Sequence, residues 1–217
     1  MKELYIGTSK GFVSQAIKNR REQGHEVFCI SSQPSTDEYT FTVDWKTVNV
    51  TDIYKIARSL PSLDLILFNQ NSSALSSESF APSDGQTLKL WKQMAHWQQS
   101  YFVSCQLPFA LIHHLESKIS SDTRVIWMLS SMIVKHQSGI EYADYIGNKY
   151  QNFMIMKNMS QYHTGCFFGI DPGDISGSGF DTKLLQFKEL IEKDTKVVAG
   201  SVWRFDGQLS DVTNLLG

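Results

Sequence analysis

The sequence predicts an α/β fold, a doubly wound and mostly parallel sheet of seven strands with helices on both faces. Three observations carry that reading. Short apolar runs of strand length alternate with segments of helical period along all 217 residues, which is the pattern of βαβ units with right-handed crossovers. The run Leu63 to Phe68 is apolar at nearly every position, as a strand covered on both faces must be. Glycines and small polar residues gather where strands end, at Gly7, Asn69, Ser131 and Pro172-Gly173. In an open parallel sheet that carboxyl edge is where ligands sit.

Each element has its own justification. Leu4-Tyr5-Ile6 reads as a buried strand that ends in Gly7-Thr8-Ser9-Lys10-Gly11. A helix follows, with Phe12, Val13, Ala16 and Ile17 on one side and Gly24 as its stop. Val27 to Ile30 is a second strand, closed by a polar run from Ser31. Residues 37–45 are ambiguous, and Lys46 to Val50 reads as the third strand. Thr51 or Asp52 caps a helix with Ile53, Ile56, Ala57 and Leu60 at helical spacing, ended by Pro61. After the strand at 63–68 comes a Ser-rich loop to Gly85. A long helical stretch then runs from Leu88 to Leu115, and Pro108 is expected to bend or break it. Strands are expected at Val125–Leu129, Thr164–Ile170 and Val197–Val202. Helices are expected around Tyr145 to Lys149 and from Leu184 to Ile191. No linker interrupts the alternation, so residues 1–217 read as a single domain.

Composition narrows the function. Apolar residues make up 41% and charged residues 19%, with a net charge of −2. That balance offers no electrostatic footprint for nucleic acid or an anionic membrane. Cys29, Cys105 and Cys166 are an odd set without metal-ligand spacing, which suits buried free thiols in a reducing compartment. No signal peptide and no apolar run of membrane-spanning length is read, so a cytoplasmic protein is expected. His113 and His114 are adjacent and point to different sides of a helix, so no metal site is expected.

The chemistry centres on Tyr145 and Lys149. Four residues apart on a helix, they lie one turn apart on one face. An ammonium beside a phenol favours the phenolate, and a phenol tuned toward neutral pH can give and take a proton. Gly7 and Gly11 permit a tight turn and close backbone approach to a pyrophosphate at the N-terminus of the first helix.

In order and spacing, these residues resemble the short-chain dehydrogenase/reductase family, whose Rossmann-like fold binds a nicotinamide dinucleotide. The family's Thr-Gly-x-x-x-Gly-x-Gly turn is similar to Ile6 through Val13, and its Asn-Asn-Ala-Gly resembles the segment at Asn69. Its Ser-Ser pair resembles Ser130-Ser131, its Tyr-x-x-x-Lys resembles Tyr145 to Lys149, and its Pro-Gly-x-Val resembles Pro172 to Ile175. The resemblance implies that Tyr145 protonates a substrate carbonyl oxygen. Lys149 would hold the nicotinamide ribose and lower the Tyr145 pKa, and Ser131 would hydrogen-bond the carbonyl. Ser131 precedes Tyr145 by one position more than the commonest family spacing, so Ser130 is the alternative.

Cofactor contacts are implied at Gly7, Ser9, Lys10, Gly11, Phe12, Ser31, Asn49, Asn69, Tyr145, Lys149, Pro172, Gly173 and Ile175. The end of the second strand carries Ser31 and no acid for a ribose 2′-hydroxyl, and Lys10 lies in the glycine turn. NADP is therefore expected over NAD. The sequence departs from the family at Val13, where a third glycine is usual, and at Ser100, where a helix Asn is usual. The segment after Ile175 is short, which trims the substrate lid. A small carbonyl or alcohol substrate is implied, and a homodimer or homotetramer. The alternative is a dinucleotide-sensing or scaffold protein that keeps the fold without turnover.

Overall fold

In a computed structural model, the structure describes residues 1–8, 12–70, 97–130, 132–135, 143–173, 180–192 and 196–215. Seven strands form one sheet: β1 (Lys2–Ile6), β2 (Glu26–Ser31), β3 (Thr40–Thr42), β4 (Leu65–Phe68), β5 (Arg124–Met128), β6 (Cys166–Asp171) and β7 (Val202–Arg204). Their order is β3-β2-β1-β4-β5-β6-β7, and every strand pairing is parallel. The helices are α1 (Phe12–Glu22), α2 (Val50–Ser59), α3 (Leu107–Leu115), α4 (Met132–Lys135), α5 (Ala143–Tyr162) and α6 (Phe180–Ile191).

Strand alternation divides the core between the two faces of the sheet. Leu4 and Ile6 of β1 join α2, α3 and α5 through Ile53, Leu111 and Phe153. Tyr5, between them, joins α1 and α6 through Ile17 and Phe187 on the other face. Strands apolar at successive positions therefore serve two cores at once. Among the described residues, no helix is long and apolar enough to cross a membrane.

Three expectations need correction. The third strand is not Lys46 to Val50 but Thr40–Thr42, inside the stretch that read as ambiguous. Asp44 captures the chain instead. Its carboxylate accepts the Lys46 N–H at 2.9 Å, and its carbonyl accepts from Thr47 and Val48. This local turn overrides the strand propensity of Thr47 and Val48. The next helix is capped by Asn49, not Thr51 or Asp52. Asn49 Oδ1 accepts from the N–H groups of Thr51 and Asp52, and the Asp52 carboxylate returns a bond to the Asn49 N–H. The last strand is Val202–Arg204, later than Val197–Val202, because Gly200 turns the chain at φ +77°.

The α-helix is interrupted just ahead of Pro108, as expected. Residues 97–101 are α-helical, Phe102–Gln106 form a π-helix, and α3 follows directly. The wider turn puts the Leu107 N–H on the Phe102 carbonyl. That makes room for the proline ring and uses the register where its missing N–H costs least. Of the cysteines, Cys29 and Cys105 are buried free thiols as expected, while Cys166 is half-buried.

An ion cluster closes the amino end of the sheet. Glu3, fully buried on β1, accepts from Arg20 Nη2 at 2.5 Å, Tyr5 Oη at 2.9 Å and lies 2.7 Å from His25 Nδ1. Arg20 also meets Glu192 just past α6. Removing one partner of such a pair strands a buried charge. Arg20→Met is expected to cost about 3–5 kcal/mol in urea unfolding, and adding Glu3→Leu to that variant should recover much of the loss.

Candidate active site

The carboxyl edge of the sheet gathers the polar residues. At the centre, Gly7 leaves β1 at φ +80°. A Cβ there would lie 2.5 Å from both N and Cα of Gln70, just past β4. Asn69 fastens the two exits together. Its N–H donates to the Ile6 carbonyl at 2.9 Å and its side-chain amide to the Gly7 carbonyl at 2.8 Å. The strand order reverses direction at this pair, which is where a doubly wound sheet opens a crevice.

The next two strand ends hold the acid–base group. Tyr145 and Lys149 share one face of α5, and Lys149 Nζ lies 5.7 Å from the centre of the Tyr145 ring. The Tyr145 phenol hydrogen-bonds Ser130. Lys149 is buried and donates to the Met128 carbonyl at 2.6 Å. Of the two candidate serines, Ser130 is the one the structure places against Tyr145; Ser131 lies outside the described residues.

Burial sets the chemistry of this group. It is the largest influence on Tyr145, raising its pKa above the ordinary phenol value; Ser130 opposes that and Asp171 adds to it. Lys149 is pushed down to about 8 by loss of solvent. The expectation that Lys149 lowers the Tyr145 pKa is therefore corrected. The ammonium gives up its proton well before the phenol titrates, so no positive charge remains to favour the phenolate. Cys105, beside Lys149, is pushed up to about 12 by burial and is an inert thiol.

The other expected residues fall into three groups. Gly7, Phe12, Ser31, Asn69, Pro172 and Gly173 lie at strand ends or at the start of α1. Ser31 is buried at the end of β2, where its hydroxyl accepts the Gln33 N–H. Phe12 turns its ring inward, 5.0 Å from Phe205 and 5.2 Å from Phe187, so only its backbone faces the turn. Asn49 has its side-chain oxygen committed to capping α2. Ser9, Lys10, Gly11 and Ile175 lie outside the described residues. Val13 is buried in the core beneath α1, so its two methyls are absorbed by packing. Ser100 is fully buried and accepts from Asn148 Nδ2 at 3.2 Å, next to Lys149, while Gln99 turns away to the Trp45 carbonyl.

Sequence reasoning passed over two residues at this edge. Gln70 is buried, and among the described residues neither atom of its side-chain amide has a partner. Asp171 ends β6 as a buried carboxylate, accepting from Gly173 N–H and Ser210 Oγ, each at 3.1 Å. A charged residue closing an otherwise apolar strand was the signal for Asp171; Gln70 left none. A cavity of about 350 Å³ opens beside Asp171, Pro172 and Gly173, walled by Val134, Lys183 and Ser210. Among the described residues, no cluster of three or more metal-ligating side chains occurs.

The architecture matches solved structures closely. A short-chain dehydrogenase/reductase of Serratia marcescens superposes with TM-score 0.73 at 14% identity, over 94% of both chains. The fold is that of the short-chain dehydrogenases and reductases. A short-chain dehydrogenase of Salmonella enterica serovar Typhi gives TM-score 0.69 at 17% identity, covering 94% of this chain and 95% of its own. A Shigella flexneri protein assigned as a short-chain dehydrogenase was solved with NADP. It gives TM-score 0.69 at 16% identity, covering 94% of this chain and 96% of its own. No family model matches the sequence, and no curated protein matches it.

Lys149 imposes a pH signature. Its folded pKa lies below its unfolded value, so between pH 8 and 10.5 the unfolded chain binds more protons. Stability should therefore rise with pH across that window, by at most about 1.4 kcal/mol per unit from this group. Lys149→Met removes the titration. Chemical denaturation at several pH values should show the variant's stability relative to wild type largest below pH 8 and shrinking toward pH 10.5.

Proposed function

We propose that the chain is an NAD(P)-dependent oxidoreductase of the short-chain dehydrogenase type, reducing a small carbonyl compound or oxidising the corresponding alcohol. The observation that carries this is a half-buried phenol, Tyr145, hydrogen-bonded to Ser130 one helical turn from Lys149. It stands at the carboxyl edge of a parallel sheet, beside the ends of β5 and β6.

The residues present fit a dinucleotide. The unpartnered amide of Gln70 and the close approach at Gly7 lie at the crevice. A buried amide without partners costs roughly 1–3 kcal/mol, which a polar ligand would offset. Gly7, the turn through Ser9 to Phe12, Ser31, Asn69 and Pro172 to Ile175 would hold it. The end of β2 offers Ser31 and no acid, which favours NADP over NAD. When bound, the cofactor supplies or accepts hydride.

The chain's own residues handle the proton. In reduction, Tyr145 Oη gives its proton to the substrate carbonyl oxygen as negative charge develops there. Ser130, or Ser131, donates to the same oxygen and holds it against the phenol. Lys149, which donates to the Met128 carbonyl, would hold a ribose hydroxyl of the cofactor. Oxidation runs these steps in reverse, with Tyr145 as the base. A homodimer or homotetramer accords with the exposed aromatics Trp97, Tyr101 and Phe109 before and within α3, and Tyr150 on α5.

Thermal-shift titration with NADPH and NADH tests the reading. NADPH should raise the melting temperature more than NADH at equal concentration. Tyr145→Phe should keep that shift while losing about 10²–10⁴-fold in turnover on a carbonyl panel. No shift with either nucleotide at millimolar concentration contradicts the proposal. Equal binding without turnover by wild type would mark the chain as a dinucleotide sensor.

A further inference from the structure

The cavity at the ends of β6 and β7 has an unusually polar wall. Small-molecule sites are mostly apolar, with a few polar groups that fix orientation. Here seven of the twelve described lining residues carry polar side chains. The first helical turns of α6 supply Lys183 and Gln186, three residues apart on one face. Arg204 at the end of β7, with Asp206 and Asp211 beyond it, lines the same space, and the buried Asp171 closes it at β6. On the β5 side the wall is Val134, four residues beyond Ser130. One step past the last β5–β6 pair, Met128 with Ile170, the Leu129 N–H donates to the Ile170 carbonyl at 2.8 Å. The cavity therefore opens next to the strand end that carries Ser130 and its bond to Tyr145.

We propose that this cavity holds a neutral polyhydroxylated compound, a sugar or polyol, as the substrate class of the site, with Lys183 and Gln186 as specificity-determining residues. The charges of the wall carry the argument. Three carboxylates stand against two cations. Arg204 Nη2 is already paired with Asp206 at 3.1 Å. Asp171 has both oxygens filled, one by the Gly173 N–H and one by Ser210 Oγ. Lys183 and Gln186 are half-buried and have no hydrogen-bond or ion-pair partner among the described residues. A ligand anion would meet the carboxylates, and a ligand cation would meet Lys183. An apolar ligand would leave the ammonium and the amide covered and unpaired. A hydroxyl avoids each of these costs, because it donates once and accepts twice. Hydroxyls can thus accept from Lys183 and Gln186 and donate to the carboxylates opposite. The volume of about 350 Å³ lies at the small end of ligand sites, which suits one sugar unit. The inference rests on the proposed function for the reaction, and on the cavity alone for the binding.

Saturation-transfer NMR tests the binding without turnover. The probes are glucose, fructose, sorbitol and myo-inositol, each with and without saturating NADP. At least one should bind with a dissociation constant below about 10 mM. Gluconate, glucosamine and cyclohexanone should each bind at least about fivefold more weakly than that probe. Lys183→Met and Gln186→Leu should each weaken the hydroxylated probe about three- to tenfold. Lys188→Met, on α6 but outside the cavity wall, should leave it unchanged. Tighter binding of gluconate would mark Lys183 as a reader of anions, and tighter binding of cyclohexanone would mark an apolar site; either overturns the proposal. So does the absence of binding by every hydroxylated probe, or binding that neither cavity variant weakens. If a hydroxylated probe binds as expected but no nucleotide binds and nothing turns over, the proposed function fails alone. If NADPH binds and cyclohexanone turns over while no hydroxylated probe binds, this inference fails alone.

Discussion

The contact between the exits of β1 and β4 is the constraint on which the rest of the structure depends. Gly7 meets the Gln70 backbone so closely that no Cβ fits, and it does so at φ +80°. Either fact alone demands glycine. Asn69 bonds across the junction to the Gly7 carbonyl. Because β1 and β4 stand at the reversal of strand order, this junction fixes where the sheet opens. Gly7 leads on to Thr8 on one side. The ends of β5 and β6, with Ser130 and Asp171, follow on the other.

Loss of solvent then dictates what the site can do. Tyr145 and Lys149 are an ordinary helical pair by spacing, and in water the cation would make the phenol more acidic. Here burial moves both groups toward their neutral forms, the phenol up and the amine down. Their order of deprotonation is reversed, since the amine now gives up its proton near 8 and the phenol only above its ordinary value. Asp171 reinforces the same outcome.

Much of this was legible in the sequence. Apolar runs such as Leu63 to Phe68 located the central strands, because a strand buried on both faces leaves no polar position to mislead. The edge strands were less legible. β3 and β7 are three residues each, too short for a periodic signal, and local devices at Asp44 and Gly200 set their bounds. Pro108 marked a real interruption: a π-helical turn stands before it, and the α-helix resumes with the proline in its first turn, where its missing N–H costs least. At the site, the spacing of Tyr145 and Lys149 found the right pair, but spacing carries no information on burial. That is why the direction of the Tyr145 shift was missed.

On the proposed reading, one sheet edge, from the β1–β4 junction to the end of β6, forms a single dinucleotide and proton-transfer site. Hydrogen–deuterium exchange with and without NADPH tests it most directly. Slowed exchange should appear together at the segments around Gly7 to Phe12, Asn69 to Gln70, Leu129 to Ser130 and Gly173, with the amino edge around Glu26 and Asp64 unaffected. Protection confined to the amino edge, or none at any of the four segments at saturating nucleotide, would contradict the account.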